Sequence, residues 1–119
     1  MQLQTLYIAG HEPATAVLGN GFRGLFEQPD QLVALRDGEA DLDHAVLELL
    51  RYDGPNQFVR RIATTDLHFD GGVIPAGAVV YPGIGAANHD PDEFGPDADA
   101  IRIDRPSAIH HLQLGAGIH

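Results

Sequence analysis

Apolar residues recur at helical spacing from Leu3 to Phe26, at Leu3, Leu6, Tyr7, Val17, Leu18, Phe22, Leu25 and Phe26, and predict one long helix. Gly10 and Pro13 interrupt it. Proline removes an intrahelical donor and crowds the preceding turn, so a kink or widened turn is expected between Gly10 and Pro13, where polar groups can enter. Pro29-Asp30 opens a short helix that runs through Arg36 and ends at Asp37-Gly38. Asp41, whose carboxylate can cap, starts a third helix carrying His44, Val46, Leu47, Leu50 and Arg51 until Gly54-Pro55 stops it. From Gln57 to Tyr81 the pattern turns to short β segments. These are 58–63, Leu67-His68-Phe69 and 73–80, with turns at Asp70-Gly71-Gly72 and Pro75-Ala76-Gly77. After Asn88 an Asp-, Pro- and Gly-rich stretch to Pro106 reads as an ordered meander. The fold class is α+β.

Composition narrows what such a chain can do. At 119 residues it forms one domain, 1–119. A hydrophobic fraction of 44% with 20% charged residues is ordinary globular usage. The net charge of −10, from seven Lys and Arg against 17 Asp and Glu, repels phosphate backbones and anionic lipid, so no nucleic-acid partner is expected. No apolar run approaches the roughly 20 residues of a membrane span and the N-terminus has no signal-peptide pattern, so no membrane partner and a cytoplasmic location are expected. The absence of cysteine excludes disulfides, thiol nucleophiles and thiolate metal ligands supplied by this chain.

Several candidate sites carry chemistry of differing specificity. Glu48 and Arg51 stand three apart on one helical face, where a bidentate ion pair can form; in isolation such a pair reads as solvated. His11-Glu12 beside the expected kink could act as acid and base if partial burial raised the carboxyl pKa. Gly19-Asn20-Gly21-Phe22-Arg23-Gly24 satisfies G-x-G-x-x-G, but inside a helical pattern and not after a strand, which argues against dinucleotide binding. Ser107, the only serine, sits in no nucleophile elbow. His11-Glu12 lacks the second histidine of a zinc-protease helix, while His110, His111 and His119 could collect a metal; no metal is expected.

Four motifs occur in one order: Ala9-Gly10-His11-Glu12, Glu48-Leu49-Leu50-Arg51, Ala87-Asn88-His89-Asp90-Pro91 and His111-Leu112-Gln113-Leu114-Gly115. Together they resemble the C-terminal half of a bacterial cytochrome P-450, over essentially the whole chain. The resemblance implies a partial fold of that kind, with a long kinked distal helix, two further helices, a small β-sheet and a meander. It implies that Glu48 and Arg51 are buried and joined by a meander arginine. The matching position is Ala100, with Arg102 nearby if the register is shifted and Gly95 as an inserted residue. Ala9 and Gly10 would face the ligand pocket, as would Phe58 and Val59. Arg61 and His119 align with contacts to the haem propionates. His11 and Glu12 match the oxygen-activating segment, but Pro13 and Ala14 follow the acid and Thr15 is the first hydroxyl, so the proton relay is incomplete.

In the family the ending F-G-x-G-x-H-x-C carries the iron-ligating cysteine, which would be the second residue after His119. The expectation is therefore a truncated, degenerate relative with no haem of its own, binding a small apolar molecule or a partner chain. Two alternatives are a haem-associated oxidoreductase with histidine ligation, or haem supplied with a partner, and a non-oxidative cyclase, isomerase or dehydratase using Glu12 and His11. A homo-oligomer is expected, because Leu6, Tyr7, Val17, Phe22, Phe58 and Ile62 would lack the cover that the family gives them.

Overall fold

In the computed structural model, which describes residues 2–116, three helices form one side of the molecule. Helix α1 spans Gln2–Glu27 without a break in its helical assignment, and Pro13 lies inside it. The ring leaves one carbonyl without its usual N–H partner. Two residues on, the Thr15 hydroxyl donates to the His11 carbonyl at 2.9 Å. Helix α2, Pro29–Arg36, starts on a proline, with Asp30 in its first turn. Helix α3, Leu42–Asp53, is capped by Asp41, whose carboxylate accepts from the His44 N–H at 3.2 Å. These agree with the expected helices to within two residues at each end.

The β region is smaller and more open than the pattern promised. Strand β1 (Arg61–Ile62) pairs antiparallel with β4 (Val79–Val80), and β2 (Leu67–Phe69) pairs with β3 (Gly72–Ile74) in a hairpin. Gly72 takes φ +141° there, a conformation L side chains rarely adopt. Within the meander expected after Asn88, and just before it, the chain forms two short helices, α4 (Ile84–Asn88) and α5 (Pro91–Phe94), and a 3-10 helix follows at Pro106–His110. Among the described residues no helix is long and apolar enough to cross a membrane.

The core is small and lies where α1, α3 and the meander meet. Leu25, Ala45, Ile101 and Ile103 are buried there, with Leu32, Leu35, Leu49 and Tyr52 packed against them. The glycines of the G-x-G-x-x-G run make this contact possible. A Cβ at Gly21 would stand 3.1 Å from Leu49 Cδ1, and one at Gly24 would stand 2.7 Å from Ile101 Cδ1. The motif is a notch in α1 that admits α3 and the meander. Two glutamines, Gln28 between α1 and α2 and Gln31 in α2, complete the joint: Gln28 Oε1 accepts the Ile101 N–H and Gln31 Oε1 accepts the Ile103 N–H, each at 3.0 Å. The N-terminal half of α1 packs on nothing comparable, and Leu3, Leu6, Tyr7 and Ile8 are exposed.

Candidate functional site

Ala45, Glu48 and Arg51 lie three apart along α3 and form the stripe that the helix buries. Two of these three are charged, which makes the stripe a site and not ordinary core. Glu48 and Arg51 have fully buried side chains and pair bidentately, Arg51 Nε to Glu48 Oε2 at 2.7 Å and Arg51 Nη2 to Oε1 at 2.9 Å. The other three guanidinium hydrogens go to carbonyls: Nη1 donates to Asn88 at 2.6 Å and Ala98 at 2.8 Å, and Nη2 to Ala100 at 3.0 Å. All five donors of Arg51 are thus used. The Phe94 ring lies 5.2 Å from the guanidinium carbon and adds a cation–π contact.

The third member of this core is Arg105, not Ala100 or Arg102. Arg105 is 2% exposed, and its Nε donates to Glu48 Oε1 at 3.1 Å. Its remaining hydrogens go to the carbonyls of Phe94, Asp97 and Ala100 and to the Asp97 carboxylate at 2.9 Å. The two residues expected in its place contribute backbone only. Ala100 gives its carbonyl to both arginines, and Arg102 gives its N–H to Glu48 Oε1 at 2.8 Å, while its side chain pairs with Asp97 and Asp104 nearer the surface. Two carboxylates and two guanidinium groups leave the cluster with no net charge. The hydrogen bond from Arg105 holds the Asp97 carboxyl below the usual carboxylate range.

A second set of contacts ties the stretch after the 3-10 helix to this core. Asn88 is fully buried; its Oδ1 accepts the Leu112 N–H at 2.9 Å, and its Nδ2 has no protein partner. His111 is buried, and its Nδ1 accepts the Gln113 N–H at 3.1 Å, which places the ring proton of a neutral imidazole on Nε2. Burial pushes the His111 pKa below its ordinary value. Gln113 Oε1 accepts the Asn56 N–H at 3.0 Å and Gln113 Nε2 donates to the Asn56 carbonyl at 3.1 Å; Asn56 Nδ2 donates in return to the Gln113 carbonyl at 3.2 Å. Beyond this link opens a cleft of about 440 Å³ whose lining includes Val59, Arg61, Ile84, Leu112 and Leu114.

The remaining sequence candidates are dispersed. Ala9, Gly10, His11 and Glu12 are exposed on α1, with the His11 ring stacked on Tyr7 at 5.5 Å. Phe58 is exposed and meets the edge of Tyr81, while Val59 is half-buried at the cleft. Arg61 is exposed and donates to the Arg60 carbonyl at 3.0 Å. His119 lies outside the described residues.

The family profile described as Cytochrome P450 matches residues 42–110, the stretch from α3 through the 3-10 helix. The chain belongs to the cytochrome P450 family. It is 40% identical over 115 residues to the putative cytochrome P450 133B2 of Xylella fastidiosa, covering 96% of this chain and 28% of that protein. It is 42% identical over 115 residues to the cytochrome P450 monooxygenase PikC of Streptomyces venezuelae, covering 96% of this chain and 27% of that protein. Among solved structures, cytochrome P450 CREJ matches with a TM-score of 0.90 at 37% identity, over 98% of this chain and 29% of CREJ. P450BioI, in complex with an acyl carrier protein ligated to hexadec-9Z-enoic acid, matches with a TM-score of 0.85 at 37% identity, over 97% of this chain and 30% of P450BioI. The chain therefore spans somewhat over a quarter of the length of these P450s.

The cofactor of a cytochrome P450 is haem, and the residues present fit only its periphery. Arg61 at the cleft offers a guanidinium suited to a carboxylate, but no lining side chain is a thiol, imidazole or thioether. Among the described residues that line the cleft, none can serve as an axial ligand to iron. Sequence reasoning missed Arg105, Asn56 and Gln113. Arg105 had a signal, being the second of two arginines in the expected meander; the two amides had none.

Two consequences are measurable. Arg51→Ala leaves the Glu48 carboxylate buried without its main partner, and urea unfolding is expected to show a loss of about 3–5 kcal/mol; a loss of about 0–1 kcal/mol is what a solvated pair would give. The second concerns pH. With the folded-state pKa of His111 lowered, the unfolded chain takes up a proton first, so stability is lost as pH falls from the ordinary value of roughly 6.5 through the lowered one. The Asp97 contribution is present above the usual carboxylate range and is lost at still lower pH. Stability should thus fall in two stages on acidification, and His111→Gln should remove the upper stage in melts recorded across pH.

Proposed function

We propose that this chain is a degenerate cytochrome P450-family protein, a single domain that keeps the ion-pair core of the fold and lacks the haem-thiolate ligand among its own residues. In this reading it acts by binding a small apolar molecule or a partner chain and not by oxidising a substrate. The observation that carries it is the contrast between a fully bonded Glu48–Arg51–Arg105 core and an α1 in which Pro13 and Ala14, not a hydroxyl residue, follow Glu12.

The apolar-ligand reading is supported by exposed hydrophobic side chains along α1 and the β region, among them Leu6, Tyr7, Phe22, Phe58 and Ile62. Soluble proteins seldom leave an apolar patch larger than a few hundred Å² open, roughly 300–600 Å² at most. The same surface supports self-association, with each chain covering the α1 face of the other. The related P450BioI, in complex with a fatty acid on a carrier protein, is one precedent for an apolar ligand in this family. Reading His11 and Glu12 as acid and base of a non-oxidative enzyme has less support, because both are exposed on α1 and lack the burial that tunes such groups. Histidine-ligated haem has less support because no imidazole is among the described residues that line the cleft with Arg61.

One preparation tests the proposal. With haem added and the sample reduced under carbon monoxide, the chain is expected to give no band at the wavelength diagnostic of thiolate ligation, and to sediment as a dimer or larger at micromolar concentration. A thiolate-type band would overturn the loss of the ligand. A monomer with a sharp unfolding transition would overturn self-association.

A further inference from the structure

The stretch Leu112–Gly115 has no strand beside it, yet side chains meet the Leu112 and Gln113 N–H groups and the Gln113 carbonyl. We propose that Asn56, Asn88 and Gln113 form an amide clasp that orders this stretch in the cofactor-free chain, making them positioning residues for the cleft lined by Arg61. The Gln113 side-chain amide offers one acceptor and one donor, and it uses both on the N–H and carbonyl of Asn56, as a neighbouring strand would. Asn56 returns a third bond through Nδ2 to the Gln113 carbonyl. Asn88 holds the adjacent Leu112 N–H through Oδ1 and gives its own carbonyl to Arg51, so the clasp is anchored on the ion-pair core.

The packing around Gln113 leaves little freedom. Gln113 is 6% exposed, and a Cβ at Gly54, the residue that caps α3, would lie 2.1 Å from Gln113 Cδ. The absence of a side chain at Gly54 gives the amide its seat. Asn56 and Gln113 also line the cleft, so the clasp joins its two walls and sets the distance between Arg61 and Leu112. These bonds lie wholly within the protein.

The proposal rests on reading the chain as a scaffold around a ligand cleft, and its test is independent of the spectrum that tests that reading. Hydrogen exchange is followed by NMR on the cofactor-free chain, at the amides of Asn56, Leu112 and Arg102. In the unaltered protein all three are expected to be protected. Gln113→Ala should lower Asn56 protection by about tenfold, the scale of one net hydrogen bond at its upper range. It should leave the Arg102 amide, bonded to Glu48, unchanged. Gln113→Glu keeps the acceptor for the Asn56 N–H and should retain most of that protection. Unprotected Asn56 and Leu112 amides in the unaltered chain would overturn the proposal. So would a parallel loss at Arg102, which would make Gln113 one more contributor to global stability. Should Gln113→Ala fail to fold, Asn56→Ala, which removes the side-chain bond to the Gln113 carbonyl and keeps the backbone groups that Gln113 meets, is expected to speed exchange of the amide at position 56 while Arg102 stays protected; unchanged exchange at position 56 would count against the clasp.

Discussion

A carboxylate with no access to water sets the terms for this fold. Moving one ionised group into a protein interior costs several kcal/mol even after relaxation, so Glu48 is tolerated on the buried stripe of α3 only because four hydrogen bonds and two positive charges converge on it. Meeting that demand brings remote segments together. Arg51 reaches from Glu48 to the carbonyls of Asn88, Ala98 and Ala100, and Arg105 reaches back through Phe94 and Asp97. The meander sends Phe94, Ile101 and Ile103 into the interior, and guanidinium groups hold its irregular backbone in shape. Such a cluster adds geometry more than net stability, since buried ion pairs often do no better than well-packed apolar residues. What it provides is one arrangement with every donor occupied, and high cost for any other.

The second layer of the structure hangs from the first. Asn88 joins the core through its carbonyl and the Leu112 stretch through its side chain, and Gln113 carries the connection on to Asn56. The order along the chain is thus converted into a spatial order, with α3 at the centre, the meander around Arg51 and Arg105, and the cleft at the far edge. The family relationship gives this arrangement its context, although the chain spans somewhat over a quarter of its relatives' length. In α1, Pro13 and Ala14 follow Glu12, and Thr15 is the first hydroxyl after the acid.

Much of this was legible in the sequence, for identifiable reasons. The three helices were bounded by residues whose backbone chemistry is decisive: Pro29, Asp41 and the Gly54-Pro55 pair. The Glu48–Arg51 pair was legible because three-residue spacing places both on one helical face. Its burial followed only from the family resemblance. Arg105 was assigned to Ala100 or Arg102 because the register of an irregular meander cannot be counted through an insertion, and all three residues do touch the cluster, two of them by backbone. Helices α4 and α5, five and four residues long, are too short to show a period. The Asn56–Gln113 link spans 57 positions and pairs side chain with backbone, a contact that leaves no trace in local pattern. The G-x-G-x-x-G run, set aside as a phosphate loop, proved to have a packing role that no motif describes.

The central claim is that Glu48 is shared between Arg51 and Arg105, with the Arg102 side chain outside the cluster. A double-mutant cycle tests it directly. Glu48→Gln combined with Arg105→Ala should give a coupling of about 1–3 kcal/mol, as expected for partners in one network, and Glu48→Gln combined with Arg102→Ala should be additive within about 0.5 kcal/mol. Additivity in the first cycle, or strong coupling confined to the second, would contradict the account.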